Sequence, residues 1–563
     1  MTVGLVTATA AGHAAAADLA GRWGDTRTYR VGEIAAAWRD CDALVCFLAV
    51  GAAVRLLAPL LGDKRHDPGV VCVDEAGRFA VAVLGGHGRG GHGGGVGGGA
   101  NALAHRVADA LGCAPVVTTA TDATGMSPLD EFGWPAEGDV AAVTRALLDG
   151  ETVTLTADAT WPLPPLPVLP ADPPRPPCVL VTDRLVEPPR PAVVVRPPSL
   201  VIGVGASRGV AADEVLGLVT EALAGAGLAA GSVAQLATVE AKAGEPGMLE
   251  AAQRLGVPLV VYPAGRLAGV DVPHPSEAVR AAVGTASVAE AAALAGGAAH
   301  LVVPKRKSAM ATVAVARRRP RGRLAVIGIG PGARDLMTPR AVAELRRSSV
   351  VVGLDQYVDQ VRDLVRPGTR IEATGLGAEE TRARTAVRLA RAGHAVALLG
   401  SGDAGVYALA GPALGLADGG IDVVGVPGVT AMLAAAALLG APLGHDHCAI
   451  SLSDLHTPWE AIEQRVRAAA AGDFVVAFYN PRSRERGWQL PKALAILAEH
   501  RPGGTPVGVV TDASGPSQRV TLTTLADVDV GPIGMRSVVV VGSSQSRVVA
   551  GRFVTPRGYE WGR

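Results

Sequence analysis

The sequence predicts an α/β protein of several domains, and three observations carry that prediction. At 563 residues the chain exceeds what one hydrophobic core supports. Apolar, strand-like runs alternate with alanine-rich helical segments along its length, the pattern of sheets flanked by helices. Three of those runs, ending near Gly328, Gly400 and Val426, empty into glycine-rich turns. In open α/β sheets such turns lie beyond the carboxyl ends of the strands, where ligands bind.

Composition narrows the class. Hydrophobic residues make up 49 % and charged residues 18 %, and 52 basic side chains balance 52 acidic ones. No net charge is left to attract nucleic acid or a membrane surface. The cysteines Cys41, Cys46, Cys72, Cys113, Cys178 and Cys448 lack the paired short spacing of metal or iron–sulfur sites, so reduced thiols and no bound metal are expected. The N-terminus carries no basic region ahead of a long apolar run, and no uninterrupted apolar segment reaches roughly eighteen residues. A cytoplasmic protein is expected.

Taken in order, residues 1–160 alternate strands (Val3 to Thr7, Ala43 to Leu48, Gly69 to Val73, Phe79 to Leu84, Val116 to Thr118) with helical segments. Prolines recur densely through 161–199, which predicts a semi-extended connector holding at most one strand, Cys178 to Thr182. A second α/β unit spans 200–316, with strand Val201 to Val204, helix Ala211 to Ala224 and an apolar run Leu259 to Tyr262. The arginine-rich run 317–322 reads as a solvated hinge.

The remaining chain, 323–427 and 428–563, holds the three turns. The runs before Gly400 and Val426 are expected to be adjacent parallel strands, and Ala431 opens a buried helix. Asp403, the one charge in the loop Gly400 to Tyr407, suits either a ligand's amine or hydroxyl groups or an ordinary turn aspartate. The upstream turn Gly328-Ile329-Gly330-Pro331-Gly332 approaches a dinucleotide fingerprint, but Pro331 stands where the helix should open and no acidic residue ends a second strand about twenty residues on.

Together these turns resemble the tetrapyrrole methylases, which use S-adenosylmethionine. The runs Gly353 to Tyr357, Leu439 to Asp446, Ile450 to Trp459, Phe478 to Ser483 and Val541 to Ser546 extend the resemblance to the precorrin-3B C-17 methyltransferases, the ring-contracting enzymes of cobalamin synthesis. The resemblance implies a two-lobed class III methyltransferase that binds S-adenosylmethionine through Pro331, Ser401, Gly402, Asp403, Val406, Thr430, Ala431, Asn480 and Thr523. Ring contraction needs a proton donor or acceptor, for which Asp355, Asp454, His456 and His445 are the polar residues in matching motifs; each also suits a helix cap or a core hydrogen bond. A homodimer through this half, and possible contact with other corrin-pathway enzymes, follow from the same resemblance.

The front half resembles the cobalt-precorrin-5A hydrolases, which open the ring-A δ-lactone and release acetaldehyde. The similarity runs through Val54 to Leu61, Asp63 to Pro68, Val73 to Glu75, Val117 to Asp122, Ile202 to Gly205, Ala237 to Gly247, Pro275 to Val279 and Val303 to Ser308. Two α/β units of the hydrolase family ahead of the methyltransferase are thus implied. The family's histidine and its asparagine, here Asn101, are separated by a glycine-rich tract, so either His87 or His92 could stand in the histidine's place as a general base. Idle histidines in a mobile tract, or a metal held by the pair, are the other readings. Lys64, Arg65, Lys305 and Lys307 suit the many carboxylates of a precorrin or cobalt-precorrin substrate, and equally suit a solvated surface. Two alternatives stay open: a methyltransferase with a non-catalytic, tetrapyrrole-binding front half, and a nucleotide-dependent oxidoreductase.

Overall fold

A computed structural model of the chain describes residues 2–63, 66–86, 99–129, 132–483 and 486–558. It divides into two compact units, one formed by the residues up to Pro320 with 366–368, the other by 321–365 with 369–563. Among the described residues no helix is long and apolar enough to cross a membrane.

The first unit contains three sheets. Strands Thr26–Arg30, Val3–Thr7, Ala43–Phe47, Gly69–Val73, Phe79–Leu84 and Ala114–Val116 lie side by side in that order. The first four run parallel and Phe79–Leu84 runs against them. Val3–Thr7, Ala43–Phe47 and Gly69–Val73 are buried along their whole lengths, which their continuous apolar sequences require. Thr26–Arg30 was not legible beforehand because an edge strand of sequence TRTYR is largely exposed and carries no apolar run.

A second sheet corrects the expected connector at 161–199. Strands Ala136–Gly138, Ala192–Val195, Cys178–Val181, Thr154–Ala157 and Leu169–Pro170 pair in that order over a core containing Met126, Leu129, Val143, Val179, Val181 and Val193. The prolines fall in the links between strands and on the edge strand Leu169–Pro170, where a missing N–H breaks no central ladder. The third sheet orders Leu259–Tyr262, Val233–Val239, Leu200–Ala206, Ala311–Arg318 and Ala298–Lys307. Helix Val288–Ala295 packs so tightly on it that a Cβ at Gly203 would stand 1.8 Å from the Ala289 carbonyl. The supposed basic hinge begins inside this sheet, since Arg317 belongs to Ala311–Arg318 and donates from Nε and Nη2 to Asp183 at 2.7 and 2.8 Å.

In the second unit, five parallel strands follow the order Arg370–Thr374, Val350–Leu354, Ala395–Gly400, Arg323–Gly328 and Asp422–Val426. The two strands expected to be adjacent are therefore separated by Arg323–Gly328, because a parallel sheet with crossover helices need not follow chain order. All three glycine-rich turns still leave the same edge. A second sheet orders His447–Ser451, Val475–Tyr479, Ser537–Val541, Pro506–Thr511 and Arg519–Thr524. Helix Ala431–Leu439 packs on one of its faces, against Val475, Ala477, Val510 and Leu522.

Candidate active site

Backbone meets backbone where the three turns converge. Gly330 and Gly402 exchange a pair of hydrogen bonds, N–H to carbonyl, at 3.0 and 2.8 Å. Both take the left-handed region, φ +81° and +61°, which glycine enters without cost. A Cβ at Gly428 would lie 2.0 Å from the Gly402 carbonyl and 2.7 Å from that of Gly328. The result is a cradle of main-chain groups with no side chain in the way.

Asp403 organises that cradle. Its Oδ1 accepts the Gly405 N–H at 2.8 Å, as a turn aspartate does, and its Oδ2 accepts the Gly428 N–H at 3.0 Å. Each carboxylate oxygen keeps a further lone-pair direction. Val406, half-buried, closes the same turn through its N–H to the Asp403 carbonyl at 3.1 Å. Ser401 faces Tyr357, whose hydroxyl burial pushes up from its ordinary value while Ser401 partly offsets the shift. Pro331 follows Gly330 in the neighbouring turn and is half-buried.

Two tyrosines with no role visible in the sequence stand where the two lobes of this unit meet. Tyr479, at the end of Val475–Tyr479, places its hydroxyl 2.5 Å from Thr430 Oγ1 and accepts the Met432 N–H at 2.9 Å. It thereby fixes Thr430 and Ala431 at the start of helix Ala431–Leu439. Tyr407 lies against its ring, centroids 5.2 Å apart, and donates to the Ala449 carbonyl at 2.7 Å. Burial raises the pKa of both hydroxyls, so each stays protonated at neutral pH. Asn480, at φ +48°, donates from Nδ2 to Ser451 Oγ at 3.0 Å and joins two parallel strand ends.

Thr523 is placed differently. It pairs with Val507 and shares its sheet face, opposite to the face on which Leu522 meets helix Ala431–Leu439. Among the catalytic candidates, Asp454 accepts from Nε2 of the buried Gln489 at 3.0 Å, and His456 is exposed two residues on, both in the loop after His447–Ser451. Asp355 is exposed in the first turn of helix Asp355–Val361, where a carboxylate complements the helix dipole. His445 precedes the strand that Asp454 follows, and so lies at the opposite end of the sheet, beside a cavity of about 330 Å³ lined also by Asp446, His447, Phe474 and Arg557.

In the first unit, Lys64, Arg65, His87 and His92 lie outside the described residues. Asn101 is buried in the first turn of helix Ala100–Leu111, and its Nδ2 donates to Thr119 Oγ1 at 3.3 Å. Its N–H bonds to the Gly86 carbonyl at 3.1 Å, and Thr119 meets Thr121 at 3.4 Å. Gly86 and Asn101 thus share one spot with Thr119 and Thr121. Lys305 donates from Nζ to the His274 carbonyl at 2.7 Å, while Lys307 is exposed.

Comparison with known proteins agrees with this division. The family described as Tetrapyrrole (Corrin/Porphyrin) Methylases matches residues 323–529. Those described as Cobalamin synthesis G N-terminal and Cobalamin synthesis G C-terminus match 33–122 and 200–316. A probable cobalt-factor III C(17)-methyltransferase of Salmonella typhimurium is 47 % identical over 239 residues, 42 % of this chain and 99 % of that protein. A precorrin-3B C(17)-methyltransferase of Sinorhizobium sp is 39 % identical over 234 residues, 40 % of this chain and 91 % of that protein. A cobalt-factor III methyltransferase of Priestia megaterium is 42 % identical over 247 residues, and the chain spans only 46 % of its length. None of the three matched families is an oxidoreductase. The chain belongs to the tetrapyrrole methylase family, and carries the two cobalamin synthesis G modules ahead of its methylase domain.

Proposed function

We propose that the chain carries two activities of corrin synthesis: S-adenosylmethionine-dependent C-17 methylation with ring contraction of precorrin-3B or its cobalt form, and hydrolysis of the cobalt-precorrin-5A lactone with release of acetaldehyde. The convergence of Gly328, Gly402 and Gly428 under the Asp403 carboxylate carries the first activity. Bare main chain lets a flat, polar ligand approach, and the open lone pairs of Asp403 suit an ammonium or hydroxyl donor, so the residues present fit S-adenosylmethionine. When bound, that cofactor supplies an electrophilic methyl group on a sulfonium.

Methyl transfer then depends on what the chain holds in place. Pro331, Ser401 to Asp403, Val406, Thr430 and Ala431 would fix the donor, with Asn480 at the joined strand ends and Thr523 on the sheet face opposite helix Ala431–Leu439. Holding donor and acceptor carbon at contact distance supplies several kcal/mol of the barrier. For ring contraction, Asp454 and His456 stand beyond the Ser451 end of the second sheet, on the same edge as Asn480, and Asp355 starts a helix beyond the first. These three remain the acid–base candidates.

For the second activity, the Asn101 N–H on the Gly86 carbonyl brings together the residues that flank His87 and His92, the histidines offered by sequence as general base; Lys64, Arg65, Lys305 and Lys307 would pair with substrate carboxylates. Full-length protein incubated with labelled S-adenosylmethionine and precorrin-3B should transfer label to the macrocycle, and incubation with cobalt-precorrin-5A should release acetaldehyde. No transfer with either precorrin-3B or its cobalt form would refute the first activity. Absent acetaldehyde would leave a binding role for the front half.

A further inference from the structure

Glu290 is fully buried in the module spanning 200–316, at 0 % exposure. The spacing Ser287 to Glu290 is that of a helix capping box. Ser287 Oγ does accept the Glu290 N–H, at 3.3 Å. The glutamate side chain, however, leaves the cap. Its Oε1 contacts His274 Nδ1 at 2.8 Å and accepts the Lys305 N–H at 3.1 Å, while Oε2 accepts the His274 backbone N–H at 3.1 Å.

Burial alone raises the pKa of this carboxyl, yet the imidazole and the two backbone donors more than offset it and hold it below the usual value. An ionised carboxylate only accepts, so the proton of a neutral His274 ring sits on Nδ1 and the lone pair on Nε2. That side chain is 56 % exposed, and Nε2 has no partner among the described residues. Lys305 fastens the same loop from the neighbouring strand, its ammonium on the His274 carbonyl at 2.7 Å.

A buried charge costs more than an apolar residue of the same volume would. What this one achieves is the fixed orientation of a solvent-facing imidazole, the base-and-orienter arrangement that activates water. It also ties His274, the residue just ahead of the hydrolase-like stretch Pro275 to Val279, to Lys305 within Val303 to Ser308.

We propose that His274, oriented by Glu290, is the general base of lactone hydrolysis, an inference that rests on the hydrolase reading above. Nε2 takes a proton from water as the water oxygen bonds to the lactone carbonyl carbon and the carbonyl π pair moves to its oxygen. On collapse the ring C–O bond breaks, its electron pair leaving with the alkoxide oxygen, which receives the proton back from Nε2. Lactone and water give a carboxylic acid and an alcohol; the alcohol then loses its O–H proton as its C=O bond forms and the C–C bond to the macrocycle breaks, the electron pair of that bond staying on the macrocycle carbon, which takes up a proton, so that acetaldehyde leaves with no external oxidant or reductant. Glu290 is a positioning residue.

The test uses full-length protein and cobalt-precorrin-5A, with acetaldehyde as readout and urea unfolding of the first unit as the control for its folding. His274→Ala should lower kcat about 100-fold or more while KM and methyl transfer hold, and free imidazole should restore part of the rate. Glu290→Gln should lower kcat without rescue by imidazole, and His274→Gln serves if the alanine variant misfolds. Retained hydrolysis in a folded His274 variant, or loss that imidazole does not relieve, overturns the proposal. So does loss in His87→Ala or His92→Ala with His274→Ala unaffected. If the unaltered protein releases no acetaldehyde, the hydrolase reading itself fails, which is a separate result.

Discussion

The Asp403 carboxylate accepts the backbone N–H of Gly428 at 3.0 Å, fastening together the loops that follow two strands which are not neighbours in the sheet. The strand between them ends at Gly328, so Asp403 bridges across that turn. Removing the carboxylate frees one loop from the other and deletes the acceptor facing the cradle. Asp403→Ala should weaken S-adenosylmethionine binding by about 1–3 kcal/mol in titration calorimetry. Unchanged affinity would take Asp403 out of the site.

Tyr479 anchors the start of helix Ala431–Leu439 to the second sheet. Its hydroxyl is the partner of buried Thr430 and of the Met432 N–H, so Tyr479→Phe leaves both groups short of a hydrogen bond. We expect a loss of about 1–3 kcal/mol in urea unfolding of the methylase unit, with weaker cofactor binding because Thr430 and Ala431 lose their anchor. Full stability with reduced binding would show instead that the hydroxyl serves the ligand alone.

These two residues mark how far the sequence could be read. The glycines announced the cradle, since a turn where backbone must meet backbone tolerates little else, and Asp403 stood out as its only charge. Tyr479 and Tyr407 carried no such mark, because what their hydroxyls do depends on contacts made by residues 42 to 49 positions away. Strand order was hidden for the same reason: apolar runs report burial, whereas neighbours in a parallel sheet are chosen by the crossover helices. Proline density misled over 161–199, where the prolines lie between strands or on an edge and leave Cys178–Val181 and Ala192–Val195 free to pair. Glu290 and His274 carried no mark in the sequence, sixteen positions apart, and only the fold brings the carboxylate against the imidazole.

A surface cluster in the second lobe gives a pH-dependent prediction. Glu463 accepts hydrogen bonds from Lys492 Nζ at 2.8 Å, Arg467 Nη2 at 2.9 Å and Trp459 Nε1 at 2.9 Å. With Lys492 first among the causes, these donors bring its pKa from the ordinary 4.5 down to about 2. A depressed carboxyl contributes stability that is fully present above the unfolded value and is lost as pH falls through the folded one. The contribution should therefore fade between about pH 4.5 and pH 2. In thermal unfolding followed across that window, Glu463→Gln should flatten the decline seen with the native residue, and parallel curves would show that the cluster contributes nothing measurable.

In the first unit, Asp183 and Arg317 tie the sheet of Cys178–Val181 to the strand Ala311–Arg318. Both guanidinium bonds are short, at 2.7 and 2.8 Å, and Ser199 Oγ donates to the same carboxylate at 2.6 Å. Asp183 is 5 % exposed, so removing Arg317 leaves a buried carboxylate without its cation, whereas Arg317 is partly exposed and can turn to water when Asp183 is removed. Arg317→Met should cost about 3–5 kcal/mol in urea unfolding of this unit, and Asp183→Ala less. The double change Asp183→Leu with Arg317→Met should cost less than Arg317→Met alone, because desolvation is relieved when both charges go. Additive losses would mean that the two residues act independently, and that 317–322 behaves as the solvated hinge its arginines suggest.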